Sequence, residues 1–328
     1  MRRIAIVGPT ATGKTALAVE IARRAAAGEL FGSRTGASHG AEVELVSVDA
    51  MAVYREMDIG TATPRAAERD CARWHMLDVA DPSQEYSVAE FQRDALSALA
   101  SVAERGNRAV LVGGTGLYHR AVIDGLEIPG RYRDVAAELE LTADEPDGVA
   151  GLWSRLEVLD PLAASRIEPS NRRRVVRALE VTLGSGQRFS SFGPGLSGYE
   201  EPPSPTDLVG LFVERNELDR RLASRLDQQL SDGFLDEVRR LAARAGGLSR
   251  TARQAIGYKE LLSHVEDGVP LHEALAGTVR RLRAFARRQE AWFRRDPRIT
   301  WFDATRAEVC DAVCSHLGAR SPVGESPR

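Results

Sequence analysis

Short apolar runs that stop abruptly alternate with longer helix-forming stretches along the first third of the chain. Residues 4–7 are apolar without polar alternation and run into a glycine-rich loop, which predicts a strand buried on both faces of a parallel sheet. Residues 14–27 follow with strong helix formers. Residues 43–48 (VELVSV) predict a second strand that ends at Asp49. Residues 87–103 predict a helix, with Ser87 as its cap and Glu90 three positions on to close a capping box. Residues 108–112 predict a third strand, closing in GGTG. Strand, helix, strand in this order predicts a doubly wound parallel sheet.

The pattern changes after Gly125. Residues 131–183 are charged and helical in period, with no strand among them, and residues 184–205 (GSGQRFSSFGPGLSGYEEPPSP) form a long connection. A strand is expected again at 208–213, long helices at 216–245 and 278–295, and a last strand at 299–302. The expected organisation is a core of residues 1–125 and 206–317, and a mostly helical insertion at 126–205 with a flexible return linker. The tail at 318–328 is expected to be disordered, and the Gly28 to Ala41 stretch to be a surface insertion.

Hydrophobic residues make up 43% of the 328 and charged residues 28%, an ordinary globular composition. The net charge of −3 excludes a uniformly basic coat, but arginine is concentrated in the second half, so any nucleic-acid surface has to be a patch. Three cysteines make no disulfide framework. The opening MRRIAIVGPT is too short for a signal sequence, and no apolar run approaches a membrane span. These features lead us to expect a cytoplasmic protein without a membrane partner; a monomer is expected, although no feature of the sequence fixes the oligomeric state.

Residues 8–15 read GPTATGKT, the G-x-x-x-x-G-K-[ST] pattern, with a strand before and a helix after. Backbone N–H groups of such a loop and the helix N-terminus attract phosphate, the lysine reaches its oxygens, and the hydroxyl of Thr15 suits Mg²⁺. Gly8, Pro9, Thr10, Ala11, Thr12, Gly13, Lys14 and Thr15 are therefore the candidate phosphate site, and the fold class is α/β: a P-loop-type parallel sheet core flanked by helices, with a helical insertion domain. Ligands in such sheets bind beyond the carboxyl ends of the strands, where Asp49 and Gly113-Gly114-Thr115-Gly116 also fall. Asp49 suits either a Mg²⁺ contact through water or a general base, and the plain alternative is a turn aspartate. The acidic pair of a nucleotide hydrolase is missing, because Ala50 and Met51 follow Asp49 and the AVLVGG strand ends in no acid.

The run SVDAMAVYREMDIGTATP (47–64), set between GPTATGKT and VGGTGLY (112–118), resembles the tRNA dimethylallyltransferases. DVADPSQEYSVAEFQRDA (78–95), RRRVVRALEV (172–181), SDGFLDEV (231–238) and QAIGYKE (254–260) extend the resemblance almost to residue 303. It implies transfer of a dimethylallyl group from dimethylallyl diphosphate to N6 of the adenosine 3′-adjacent to the anticodon. The loop would then grip a leaving diphosphate with Mg²⁺, and the partners would be dimethylallyl diphosphate and the anticodon stem-loop of tRNA. By the same resemblance the catalytic residues are Asp49, at the general-base position, and Thr115, at that of a threonine contacting the substrate adenosine or its phosphate, and Arg215 lies near the diphosphate. Asp49, Ala50, Met51 and Ala52, together with Arg173, Arg174 and Arg177, would contact tRNA. Ala50 stands where many members have serine, and Thr63 where many have lysine. Gln254, Gly257 and Tyr258 fall in a family motif without an assigned role.

Two other readings compete: a small-molecule kinase with ATP in the loop, and a non-catalytic RNA-binding protein with a vestigial loop. Leu282, Phe285, Gln289, Trp292 and Phe293 share one stripe of the 278–295 helix and are expected in the core, with seven arginines largely elsewhere. Cys310, Cys314 and His316 make an incomplete zinc set. His75 is expected to be structural.

Overall fold

The computed structural model describes residues 2–31, 42–192 and 198–319. Most of the expected surface insertion, the middle of the return linker and almost all of the expected tail lie outside the described residues. The chain divides into two compact units, Met1–Asp124 with Glu201–Arg328, and Gly125–Glu200.

The first unit is built on six parallel strands: β1 (Arg3–Val7), β2 (Val43–Ser47), β3 (Trp74–His75), β4 (Arg108–Val112), β5 (Thr206–Phe212) and β6 (Thr300–Asp303). They lie in the order β3-β2-β4-β1-β5-β6, so the first strand sits inside the sheet, paired with β4 on one side and β5 on the other. The helices of this unit are α1 (Lys14–Ala26), α2 (Ala66–Arg69), α3 (Val88–Glu104) and α4 (Gly116–Ile123) before the second unit begins. The second unit holds α5 (Arg133–Asp144), α6 (Gly148–Leu159), α7 (Pro161–Ser165) and α8 (Arg172–Ser185). The chain then returns through α9 (Arg215–Ser231), α10 (Phe234–Ala242), α11 (Arg250–Arg253), α12 (Tyr258–Asp267), α13 (Leu271–Phe293) and α14 (Val309–Ala319).

Alternation along β1 explains why its run is apolar throughout. Ile4 and Ile6 pack with Leu17 and Ile21 of α1 and Leu317 of α14, whereas Ala5 and Val7 face a second cluster with Phe91, Leu99, Phe234 and Tyr258. The capping box expected at Ser87 forms: Ser87 Oγ accepts the Glu90 N–H, and Glu90 Oε2 accepts the Ser87 N–H at 2.7 Å.

The structure departs from the sequence expectation in three places. β3 was not anticipated, because two residues show no period; Trp74 and His75 pair with Leu45 and Val46 of β2. His75 also explains the one acid in β2. Its Nε2 lies 2.7 Å from the buried Glu44 carboxylate, which accepts two bonds from Arg105 and one from Asn107. Those bonds outweigh the effect of burial and hold the Glu44 carboxyl down to about 2. The helix expected over 216–245 is two, α9 and α10, broken where Gly233 takes a φ of 97°. The helix expected at 278–295 starts earlier, at Leu271.

The second unit closes its own core around Leu139, Leu152, Leu156, Val175 and Leu179. Buried Asp160 locks its end, accepting bonds from Ala163 N, Ser190 N and Ser190 Oγ at 2.7–3.0 Å.

Gly8 closes β1 with a φ of 139°, and a Cβ there would stand 2.3 Å from the Leu211 carbonyl oxygen of β5. A Cβ on Gly28, at φ 75°, would meet nothing within 4 Å among the described residues. Gly8→Ala should cost about 3 kcal/mol or more and Gly28→Ala about 1 kcal/mol in urea denaturation. Equal losses would show that strand packing does not set the Gly8 geometry.

Candidate functional site

The loop after β1 reaches α1 through backbone that few residues tolerate: Ala11 has a φ of 65° and Gly13 a φ of 87°. No side chain caps α1, and its first turn carries no acid. The leading N–H groups of the helix are therefore left to an anion, in the field of the helix dipole. Thr12 is buried and donates its hydroxyl to Pro9 O at 2.9 Å, so it shapes the loop. Lys14 Nζ donates to the same carbonyl at 2.5 Å.

Gln289 of α13 joins this loop to the next. Its Oε1 accepts the Thr10 N–H at 2.9 Å, and its Nε2 donates to Gly114 O at 2.9 Å. Gly114 and Gly113 leave no room for side chains: their Cβ atoms would lie 2.2 Å from Gln289 Nε2 and 2.0 Å from Val48 O. Asp49 follows β2 beside them. Its Oδ1 accepts N–H bonds from Met51 at 2.8 Å and Ala52 at 3.3 Å, the turn role expected of such an aspartate, while Oδ2 makes no hydrogen bond among the described residues. Thr115 Oγ1 accepts the Ala50 N–H at 3.2 Å, pinning the Asp49 turn to the start of α4.

A cavity of about 920 Å³ opens over these loops. Thr10, Ala11, Gly13, Lys14 and Thr15 line it, and so do Asp49, Ala52, Gly113, Gly114 and Gln289. Arg225 of α9 lines it as well, and its Nη2 donates to Thr61 O at 3.3 Å. Burial pushes the Lys14 ammonium down to about 7; Arg225 adds to this and Asp49 opposes it. Burial lowers Arg225 too, again with Asp49 opposing. Two cations facing one carboxylate, with uncapped amides alongside, make a site for a polyanion.

The remaining expected residues are distributed as follows. Gly8 and Pro9 shape the loop without lining the cavity. Ala50 and Met51 pack against the core. Arg215 opens α9 on the surface and is not among the lining residues. Arg173, Arg174 and Arg177 belong to the second unit. Arg173 and Arg174 are exposed, whereas Arg177 is half-buried, donating to Pro129 O and Gly130 O and pairing with Glu180. Sequence reasoning missed Arg225, which nothing local distinguishes from the other arginines of α9. It placed Gln289 in the core stripe, where a polar residue was itself the available signal.

The Mg²⁺ expected at Thr15 can be tested against the donors present. The Thr15 hydroxyl makes no hydrogen bond among the described residues and shares the cavity with Asp49. No cluster of three metal-binding side chains occurs among the described residues. Mg²⁺ keeps most of its waters and takes one or two protein oxygens, so this sparse hard-oxygen set fits it. Among the described residues no helix is long and apolar enough to cross a membrane.

The model of the IPP transferase family matches residues 52–296. The tRNA dimethylallyltransferase of Bifidobacterium animalis subsp. lactis is 40% identical over 321 residues, covering 97% of this chain and 88% of the relative. That of Streptomyces coelicolor is 42% identical, covering 94% and 92%. Among solved structures, the full-length tRNA isopentenylpyrophosphate transferase of Bacillus halodurans superposes with a TM-score of 0.66 at 36% identity over 98% of each chain. A eukaryotic dimethylallyltransferase acting on tRNA shares the fold, with a TM-score of 0.76 at 23% identity over 96% of this chain and 77% of that one.

Gln289→Leu should leave Thr10 N and Gly114 O unpaired and cost about 2–4 kcal/mol in denaturation. It should also weaken pyrophosphate binding in calorimetry; unchanged affinity would separate the loop's geometry from Gln289. An anion raises the Lys14 ammonium from about 7, so binding takes up a proton above that pH. The affinity of wild type relative to Lys14→Arg, which stays charged, should fall by up to about tenfold per pH unit above neutrality. A flat ratio would mean that Lys14 is already charged there.

Proposed function

The chain belongs to the IPP transferase family, the tRNA dimethylallyltransferases, and from that premise we propose how its cavity carries out prenyl transfer. The substrates are dimethylallyl diphosphate and the adenosine 3′-adjacent to the anticodon of a tRNA. The observation that carries this reading is the meeting, in one cavity, of a phosphate loop with a carboxylate oxygen that accepts no hydrogen bond among the described residues.

Adenine N6 is a weak nucleophile, because its lone pair is delocalised into the ring. As N6 bonds to the allylic carbon, the carbon–oxygen bond to diphosphate breaks and N6 must lose a proton. Asp49 Oδ2 takes that proton, and Oδ1 is held by the Met51 and Ala52 N–H groups so that the carboxylate keeps its aim. The Thr115 hydroxyl acts on the same turn through Ala50 and is a positioning group. Lys14, Arg225 and the amides at the start of α1 stabilise the charge arriving on the diphosphate. Thr15, with Asp49 nearby, would hold Mg²⁺, which when bound would supply further charge neutralisation on that leaving group. No water-activating acid follows Asp49, which fits a loop that grips a leaving group instead of hydrolysing a nucleotide.

The adenosine has to be unstacked before N6 is reached. Arg173 and Arg174, exposed and without a carboxylate partner among the described residues, are the groups of the second unit best suited to tRNA phosphates. Arg172 is committed to Glu140 and Asp144. Binding should be strongly salt-dependent.

The test is a pair of incubations with Mg²⁺ and unmodified tRNA, one with dimethylallyl diphosphate and one with ATP, followed by mass spectrometry of the nucleosides. Prenylated adenosine in the first and intact ATP in the second are expected. Unmodified tRNA with ATP consumed would overturn the reading in favour of a kinase. Asp49→Asn should lower turnover by about 10²–10⁴-fold while tRNA and pyrophosphate affinities stay within a few-fold.

A further inference from the structure

One wall of the cavity is not supplied by the phosphate loop or the glycine turn. It is the segment 58–63 (DIGTAT), of which Asp58, Ile59, Thr61, Ala62 and Thr63 line the cavity. The segment is short and strained, with Ala62 at a φ of 50°. Two local backbone bonds, Ala62 N to Ile59 O and Thr63 N to Asp58 O, fold it on itself but do not fix where it stands.

Its placement comes from behind. Glu237 of α10 is 2% exposed, and its two oxygens collect the N–H groups of three consecutive wall residues. Oε2 accepts from Asp58 at 3.1 Å and Ile59 at 2.8 Å, and Oε1 accepts from Gly60 at 3.2 Å and from the Tyr258 hydroxyl at 2.5 Å. All four partners are donors, so the group must be an acceptor at both oxygens. Among the described residues it has no arginine or lysine partner, and these four bonds are what compensate its burial. Gln229 of α9 holds the opposite side of the peptide planes, donating through Nε2 to Ile59 O at 2.6 Å and Gly60 O at 3.0 Å. The wall is pressed close, because a Cβ on Gly60 would lie 2.2 Å from the Phe234 ring and 2.4 Å from that of Tyr258. Those rings meet edge to face, with centroids 4.9 Å apart.

We propose that Glu237, braced by Tyr258, is a positioning residue for prenyl transfer: from outside the cavity it sets where the 58–63 wall meets the reacting groups. The proposal rests on the reaction assigned above. It gives the SDGFLDEV and QAIGYKE segments a shared task, since one carries Glu237 and Phe234 and the other Tyr258. Glu237→Gln keeps size and burial but turns an NH₂ toward the wall's own N–H groups. The wall should then shift while the phosphate grip of Lys14 and α1 stays intact. Tyr258→Phe keeps the ring and removes one donor, so its effect should be milder.

Two measurements on the full-length protein test this. In hydrogen exchange, the amides of 58–60 should exchange at least about tenfold faster in Glu237→Gln, with α1 unchanged. In steady-state prenylation, kcat should fall about 10- to 100-fold with the KM for dimethylallyl diphosphate and the pyrophosphate affinity held within twofold. Tyr258→Phe should show the same signature at a few-fold. Wild-type exchange at 58–60 together with wild-type kcat in Glu237→Gln would overturn the proposal. Faster exchange spread through α9 and α10 with weaker pyrophosphate binding would also overturn it, as a general loss of stability. If Glu237→Gln does not fold, Tyr258→Phe decides: faster exchange confined to 58–60 with reduced kcat supports the clamp, and wild-type behaviour overturns it. A wild-type enzyme that leaves tRNA unprenylated defeats the reaction reading instead, and the exchange experiment still judges whether Glu237 holds the wall.

Discussion

Parallel strands deliver all their exit loops to one edge of the sheet, so three glycine-rich or polar turns are crowded together with backbone groups that neither helix nor strand satisfies. The Gln289 amide resolves this crowding at the centre. It carries a donor and an acceptor on one rigid group, and it spends one on Gly114 O and the other on Thr10 N. An apolar side chain at that place would fill the volume and leave both loops with unpaired groups. The geometry of the phosphate loop therefore depends on a residue 279 positions away in sequence.

The same device recurs around the cavity. Thr115 ties the Asp49 turn to α4 and Glu237 and Gln229 hold the 58–63 wall, while away from the cavity Glu44 gathers His75, Arg105 and Asn107. Each of these side chains has its partners, which is what makes such groups sources of precision instead of instability. At the phosphate end of the cavity burial disfavours the charges of both Lys14 and Arg225, Arg225 adds to the effect on Lys14, and Asp49 opposes it in each case. In the proposed function a bound diphosphate would offset the burial of these cations.

Local signals were readable wherever one segment carries its own constraint. The apolar runs of β1, β2, β4 and β5, the Ser87 capping box and the loop at 8–15 all depend on neighbours within a few residues. β3 was hidden because two residues have no period, and the break at Gly233 because a glycine inside a charged helical stretch is ambiguous until its φ is known. Arg177 is expected from the resemblance to contact tRNA, and only the structure shows its guanidinium bonded to Pro129 O, Gly130 O and Glu180.

By itself, the sequence determined the parallel sheet, most of its strands and the loop motif of residues 8–15, since short-range period and loop geometry dictate these. It also pointed to Asp49, because a strand end in such a sheet leads to the ligand edge. Only the tertiary structure decided which arginine enters the cavity: Arg225 lines it and Arg215 does not. It likewise decided that Gln289 and Glu237 are anchors. Those choices are made by residues hundreds of positions apart meeting in space, where burial removes water as a partner and favours the arrangement in which these donors and acceptors meet.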